Sequence, residues 1–219
     1  MTVLYRLDAD AVAIARTFGA AAGEDPWAGG YLAPASFAPV VTAGREFIAG
    51  PGAPRQPRRL VPRLWGVPPP PSAWGGEPHG VLSVRNTDSP FWVGNLRNPE
   101  FRCLAPATAF MEWSKDTDSR GRRRRHWFSA SDQPLFAFAG VWKDSEVPSF
   151  ALLTCAPNAL LRDAGCDAMP ALLPADPRAQ DLWLRAGWDH AKTLLEPYPS
   201  SLMRLSPEER SRPCRPRES

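Results

Sequence analysis

The feature that most constrains this chain is a mostly apolar run at residues 101–113 that contains one carboxylate, Glu112. Its apolar content is typical of a single buried strand. Burial of a carboxylate raises its pKa and penalises its charged form, so an acid between Met111 and Trp113 is either paired or kept for proton transfer. The same pattern also fits a Glu on the exposed side of an alternating strand. The pattern of the other residues in the sequence is needed to distinguish these two interpretations.

The composition indicates a globular protein with a substantial hydrophobic core. The 219 residues are 43% hydrophobic and include nine Trp and ten Phe, which suits one large domain or two small ones. No stretch approaches the roughly 18 apolar residues that cross a membrane, and the N-terminus lacks a signal-peptide pattern. The four cysteines show no C-x-x-C spacing, which argues against a zinc site or a disulfide framework. We expect a cytoplasmic protein with no membrane association, no metal and no cofactor.

Basic residues are unevenly distributed although the net charge is only +3. Runs rich in arginine occur at residues 55–63, 120–125 and 204–217. Such runs either bind phosphate groups or are simply solvated surface.

Helices predicted near both ends and strands predicted in the centre favour an α+β fold over an alternating α/β fold. Apolar residues at helical spacing predict an amphipathic helix over residues 8–22, after an acidic cap, and Ser89-Pro90 opens a second predicted helix at 89–98. The other predicted helices follow Asn158 and span 176–185 and 190–195. The predicted strands span 39–42, 81–85, 101–114, 126–130, 135–142, 149–155 and 169–173. The four strands between residues 101 and 155 are expected to form a meander.

The segment 23–80 is rich in Pro and Gly and is longer than a simple connecting loop, so it is expected to be functional or flexible. Within it, Trp65 and Trp74 flank a proline run, which suits an aromatic stacking surface or a wedge. Packing of one of these tryptophans onto the core, to hold the loop in place, is the alternative. At the other end, apolar content is lost from Ser206 onward, which predicts a disordered basic tail over 206–219 after a domain over 1–205.

Common nucleotide-binding and hydrolase motifs are missing from the sequence. It contains no P-loop, no G-x-G-x-x-G, no G-x-S-x-G and no H-E-x-x-H. Nucleotide hydrolysis and zinc-dependent hydrolysis therefore have no support.

A series of short motifs carries a family resemblance through its order and spacing. The motifs are Leu64-Trp-Gly66, Val84-Arg85-Asn86, Arg102-Cys-Leu-Ala-Pro106, Phe110-Met-Glu-Trp113, Phe138-Ala-Gly-Val-Trp142, Leu153-Thr-Cys155 and Ala168-Met-Pro-Ala-Leu172. Together they resemble the SRAP family, the SOS response-associated peptidases, also described as abasic-site processing proteins. The resemblance spans roughly residues 1–205. It implies a single α+β domain with a barrel-like antiparallel β core, flanking helices and a positively charged cleft for single-stranded DNA.

The resemblance also implies a chemistry. Family members lose the initiator Met, which leaves a Cys whose α-amine forms an imine with the aldehyde of an abasic sugar. The Cys thiol then closes a thiazolidine ring, giving a DNA-protein cross-link. An Asn before a strand-end Arg, a Glu in an F-x-E-W type motif and a His shortly before the Met-Pro motif assist, while Arg and aromatic residues hold the DNA.

Some positions of this chain match the family pattern. Glu112 matches the family Glu, Arg85 matches the phosphate-binding Arg, and Trp65 matches the Trp of the W-G motif. With Trp74 and Asn86, the latter next to Arg85, these positions imply contacts to single-stranded DNA.

Other positions depart from that pattern. Thr2 stands where the family has Cys, and Ser83 stands where the Asn is expected, within the predicted DNA-binding set. Residues 164–170 contain no His, and either Gly165 or Cys166 occupies its place. An inert buried thiol is the simplest interpretation of Cys166.

The chain has three histidines as candidates to replace the missing one. His126 follows an arginine run and His190 lies beside a predicted helix, so both are expected to be poor substitutes. Of the three, only His79, near Arg85 in sequence, is a candidate to approach the site.

Two functions agree with these matches and departures. In the first, a monomer binds single-stranded DNA and senses abasic sites through Arg85 and Trp65, with covalent capture weakened or lost because Thr2 replaces Cys. In the second, the α-amine of Thr2 forms an imine with Glu112 as proton donor or acceptor, which makes the protein a cross-linking enzyme or a lyase. Thr2 also fits an ordinary strand residue, and an N-terminal Thr hydrolase of amides lacks its supporting motifs.

Overall fold

The structure is a computed structural model that describes residues 2–44, 57–69 and 80–206. Within these ranges the chain forms thirteen strands and five α-helices. The strands are β1 (Leu4–Leu7), β2 (Gly30–Leu32), β3 (Phe37–Thr42), β4 (Arg59–Trp65), β5 (Ser83–Val84), β6 (Arg102–Ala107), β7 (Ala109–Thr117), β8 (Arg123–Ala130), β9 (Phe136–Lys143), β10 (Ser149–Cys155), β11 (Met169–Pro170), β12 (Leu172–Leu173) and β13 (Met203–Ser206). The helices are α1 (Ala11–Phe18), α2 (Val93–Arg97), α3 (Ala159–Asp163), α4 (Pro177–Arg185) and α5 (Trp188–Ala191), with short 3₁₀ helices at Pro99–Phe101, Lys192–Leu194 and Ser200–Leu202.

Five strands close into a β-barrel in the order β10, β4, β3, β6 and β9. Neighbouring strands are antiparallel, apart from β4 and β10, which run parallel. The short strands β5 and β11 extend the sheet beside β10, and β12 pairs with β9. The α+β fold with a barrel-like core is therefore confirmed.

A second, antiparallel sheet has the strand order β13, β8, β7, β1 and β2. Successive side chains of a strand point to opposite faces of a sheet. Phe110 and Phe128 belong to the main hydrophobic core, whereas Met111 and Trp127 form a small separate cluster with Ala109. Even-numbered residues of this part of β7 therefore face the core, and Glu112 is one of them.

The prediction of one strand over residues 101–114 is wrong. The run divides at Thr108 into β6, in the barrel, and β7, in the second sheet. Thr108 is anchored between them, because its backbone N–H and its hydroxyl both donate to the Arg6 carbonyl, while its Oγ1 accepts the Asp8 N–H. These contacts join residues about a hundred positions apart in the sequence, so no local pattern indicates them.

The predicted meander is also wrong. β7 and β8 form a hairpin, and β9 and β10 are antiparallel neighbours, but β6 pairs with β9 and β8 pairs with β13. The chain thus moves from the barrel to the second sheet and back.

Helices with local signals in the sequence form near their predicted positions. Asp10 caps α1 by accepting the Ala13 N–H, and Asp176 caps α4 in the same way. The helix predicted from Ser89 begins only at Val93, because the Ser89 hydroxyl oxygen accepts the Phe91 N–H in a preceding turn.

Other predicted boundaries differ from those of the structure, mainly where strands are short. The strand predicted at 169–173 divides around Ala171 into β11 and β12, and β4 lies in a segment predicted to be loop. Ser206 ends strand β13 and does not begin a tail, and residues 207–219 lie outside the described residues. In the part of the chain that the structure describes, no helix is long and apolar enough to cross a membrane.

Candidate active site

Glu112 lies on the core side of β7, where it is only 1% exposed. Phe110, two residues earlier on the same face, stacks on Phe128 of β8 with ring centroids 5.5 Å apart. The interpretation of Glu112 as a solvent-exposed strand residue is therefore wrong.

Thr2 contacts Glu112 directly. β1 runs antiparallel to β7, with Leu4 opposite Met111, and this pairing carries the N-terminal segment alongside Glu112. The Thr2 hydroxyl donates a hydrogen bond to Oε1 of Glu112, and Thr2 is itself only 3% exposed. The structure thus brings together the two residues predicted to be catalytic.

The surroundings of Glu112 favour its protonated form. Burial is the largest cause and raises the pKa of the carboxyl above its ordinary value of 4.5. The hydrogen bond from Thr2 lowers the pKa, and the negative charge of Asp167 raises it. A carboxyl with a raised pKa, in contact with residue 2, is suited to take up and return a proton there.

This raised pKa predicts a pH-dependent effect of Glu112→Gln on stability. A carboxyl whose pKa is raised by folding stabilises the fold below the unfolded-state pKa, and that contribution is lost as the pH rises through the folded-state pKa. We therefore expect Glu112→Gln to be more stable than the parent at pH 8, and the difference to shrink as the pH falls towards 4.5. Urea denaturation at a series of pH values measures this difference, and a difference independent of pH would contradict the expectation.

The segment around Gly165 and Cys166 packs against β7 beside Glu112. The Gly165 carbonyl accepts the Lys115 N–H at 2.7 Å, and a Cβ on Gly165, whose φ is +79°, would lie 3.5 Å from Cβ of Ser114. Cys166 is 6% exposed, and burial raises the pKa of its thiol to about 11, with the charge of Glu112 acting in the same direction. The place of the missing His therefore lies at the site, but Cys166 holds a neutral thiol there.

Arg85 reaches the same region from the end of β5. Its Nη2 donates to the Asp167 carbonyl at 3.1 Å and lies 3.9 Å from the Asp167 carboxylate. The Arg85 side chain is 68% exposed, so this ion pair is weak and leaves the guanidinium accessible to a phosphate. Asn86 is exposed next to it and accepts the Asp88 N–H, while Ser83 is half-buried in β5.

The predicted stacking role of Trp65 is wrong. Trp65 is completely buried, its indole N–H donates to the Leu82 carbonyl at 3.1 Å, and its ring packs edge-on against Tyr5. It therefore holds the segment onto the core, which was the alternative interpretation. Trp74 and His79 lie outside the described residues.

His126 was expected to be a poor substitute for the missing His, but the register places it directly opposite Glu112 on β8. Residue counting could not have found this pairing, because the register is irregular between Trp113 and Thr117. His190 is exposed on α5, a separate surface helix.

The site combines a proton-transfer group, Glu112, with an exposed guanidinium, Arg85, that can bind an anion. Among the described residues, no three His, Cys, Asp or Glu side chains converge in a way that could hold a metal ion. A buried acid touches residue 2, and an exposed guanidinium lies nearby on the surface. Such an arrangement fits acid-base chemistry at the N-terminus on a phosphate-bearing substrate.

Comparison with known proteins identifies similar sequences and structures. A family model described as SOS response associated peptidase (SRAP) matches residues 1–210. A protein from Bordetella bronchiseptica is 20% identical with a TM-score of 0.69, over 93% of this chain and 98% of that one. A protein from Bacteroides thetaiotaomicron is 17% identical with a TM-score of 0.68, over 93% and 90% of the two chains.

A phage-related protein from Bordetella bronchiseptica is also 17% identical, with a TM-score of 0.65 over 94% of each chain. At such identities the solved structures establish the fold alone. No curated protein matches the sequence.

Proposed function

The chain belongs to the SOS response associated peptidase (SRAP) family, and from that premise we propose that it binds single-stranded DNA and forms a reversible imine with abasic sites through the α-amine of Thr2. Membership associates it with abasic sites and the response to DNA damage. The observation that carries the proposal is the hydrogen bond from the buried Thr2 hydroxyl to the buried Glu112 carboxyl.

The proposed reaction starts after Met1 is removed, which the small side chain of Thr2 favours. The freed α-amine has an ordinary pKa of about 7.7–8.0, so roughly a tenth to a sixth of it is unprotonated at pH 7 and able to react. It attacks the aldehyde carbon of the ring-opened sugar and gives a carbinolamine. Glu112 takes up a proton from the amine and returns one to the departing hydroxyl, so amine and aldehyde give imine and water.

The hydroxyl of Thr2 limits the chemistry of the imine once it has formed. A thiol is partly ionised at neutral pH and adds readily to an imine carbon, whereas a hydroxyl is essentially un-ionised and needs a neighbouring base. Closure to an oxazolidine is therefore slow and reversible. The expected products are a labile cross-link or a cleaved strand, and stable capture is weakened.

Arg85 supplies the proposed phosphate contact. Its exposed guanidinium lies beside Asp167, next to the segment that packs against Glu112. Arginine binds phosphate through paired hydrogen bonds of fixed geometry, which would hold the DNA backbone near Thr2.

We expect Arg85→Ala to weaken binding to single-stranded DNA by about fivefold, which corresponds to about 1 kcal/mol for an exposed charge contact. Loss of one phosphate contact on a single strand should also reduce the slope of log K against log salt by about 0.7. Both effects should be the same for oligonucleotides of different sequence, because phosphates carry no sequence information.

Fluorescence anisotropy over a salt series measures both quantities. Arg178→Ala, which removes an exposed arginine from α4, is the matched control and should leave affinity and slope unchanged. Equal losses from both variants would mean that the effect is one of net charge, and would contradict a specific contact at Arg85.

A further inference from the structure

The imidazole of His126 lies on the Glu112 side of the second sheet. In the β7–β8 ladder, Phe110 lies opposite Phe128, and the next pair on the same face is Glu112 with His126. The His126 and Phe128 rings have centroids 6.3 Å apart, as expected for neighbours on one face of a strand. Directly opposed residues have Cβ atoms about 4.5–5.5 Å apart, so the two side chains are cross-strand neighbours on the same face of the sheet.

The two residues differ in their access to solvent. Glu112 is almost completely buried, and Thr2 covers it from the opposite edge of β7. His126 is of intermediate exposure, with its Nε2 buried, so the residue lies between the buried carboxyl and the surface. A buried acid exchanges protons with solvent slowly, and a neighbouring imidazole, which both donates and accepts a proton near neutral pH, would set the protonation state of Glu112 before each reaction.

Other nearby groups are less suited to this role. Cys166 holds its proton too tightly, because burial raises the pKa of its thiol to about 11. Ser114 donates to the Asp116 carbonyl and accepts the Arg124 N–H.

The charged and titratable groups around the pair are the α-amine that Thr2 would carry after removal of Met1, Cys166 and Asp167 on the segment packed against β7, Arg85 at the end of β5, and Arg124 on β8 itself.

We propose that His126 is a positioning residue that exchanges protons between solvent and Glu112, and that it thereby sets the pH dependence of imine formation at Thr2. It takes the role left open by the missing His of residues 164–170. This inference rests on the proposed function of the site.

The test compares the parent protein with His126→Gln, whose side chain still forms hydrogen bonds but does not titrate. Imine formation on an abasic single-stranded oligonucleotide is trapped with borohydride under single-turnover conditions between pH 5.5 and 9. We expect His126→Gln to lower the rate at pH 7 by about tenfold or more and to remove the rise of the rate between pH 6 and 7. DNA affinity should not change, and His190→Gln, on the surface of α5, should match the parent in every respect.

The outcomes separate this inference from the proposed function. If the parent forms an adduct and the pH profile of the rate is unaltered in His126→Gln, proton exchange through His126 is excluded but the imine chemistry stands. If the parent forms no adduct, both the proposed imine chemistry and the role of His126 are excluded.

A second measurement does not depend on the folding of a His126 variant. NMR titration follows the His126 ring in the parent and in Glu112→Gln. Once Glu112 ionises, its charge favours the charged imidazole, so the His126 titration should extend to higher pH in the parent than in the variant. Identical titration curves would overturn the coupling between the two residues.

Discussion

Thr2→Cys is expected to give a cross-link to abasic single-stranded DNA that survives heating without borohydride, whereas the parent adduct should require reduction. The variant keeps the α-amine, the contact with Glu112 and a small side chain that permits removal of Met1. A carboxyl is far too weak a base to ionise the Thr2 hydroxyl, although it accepts its hydrogen bond. A thiol with an ordinary pKa of about 8.5 is already partly ionised and closes a thiazolidine ring on the imine.

The yield of heat-stable adduct on a denaturing gel measures this gain, which we expect to be at least about tenfold because thiolate is the better nucleophile. Thr2→Ser is the matched control, since it keeps a hydroxyl and should behave like the parent. Similar yields of heat-stable adduct from all three proteins would show that ring closure at residue 2 does not control the stability of the product. In that case the replacement of the family Cys would not weaken capture.

The elements predicted correctly are those whose signals are local. The helix α1 combines apolar residues at helical spacing with Asp10 as its cap, and α4 begins after Asp176. Both signals act within a few residues, so the sequence alone reveals them. β10 was likewise predicted with the bounds that the structure gives it.

Strand partners were not predictable in the same way. β4 lies in a segment whose prolines indicated loop, yet Pro62 pairs opposite Pro39 of β3 inside the barrel. Proline weakens a strand prediction because it removes a hydrogen-bond donor, and only the register shows that the two prolines face each other. The division at Thr108 has the same cause, because its partners Arg6 and Asp8 are distant in sequence.

The candidate site shows the same limit. Glu112 was identified because a carboxylate in an apolar run is unusual, and Thr2 was identified through the family resemblance. The wrong interpretations concern exposure and register, which a single sequence does not contain. A DNA-stacking role predicted Trp65 at the surface, but Trp65 is buried. His126 follows an arginine run, which indicated a poor substitute, and the irregular hairpin register gave no sign that it lies opposite Glu112.

Retention of Met1 is expected to abolish the borohydride-trapped adduct while leaving binding to single-stranded DNA intact. With Met1 in place, the Thr2 nitrogen is part of a peptide bond and cannot form an imine. The free amine then belongs to Met1, one residue or about 3.8 Å of chain before Thr2. Because a misplacement of 1 Å can already cost about a hundredfold in rate, we expect at least that loss.

Protein expressed with methionine aminopeptidase inhibited provides the retained form, and intact mass measurement establishes its N-terminus. The same preparation, treated afterwards with the aminopeptidase, is the matched control and should regain the adduct on the peptide that begins at Thr2. An adduct of equal yield on protein that keeps Met1 would exclude the Thr2 amine as the nucleophile. Absence of an adduct from both forms, with binding to single-stranded DNA preserved, would leave a protein that binds abasic DNA without covalent chemistry. The departure from the family at residue 2 favours binding without covalent chemistry, and the buried contact between Thr2 and Glu112 favours imine formation.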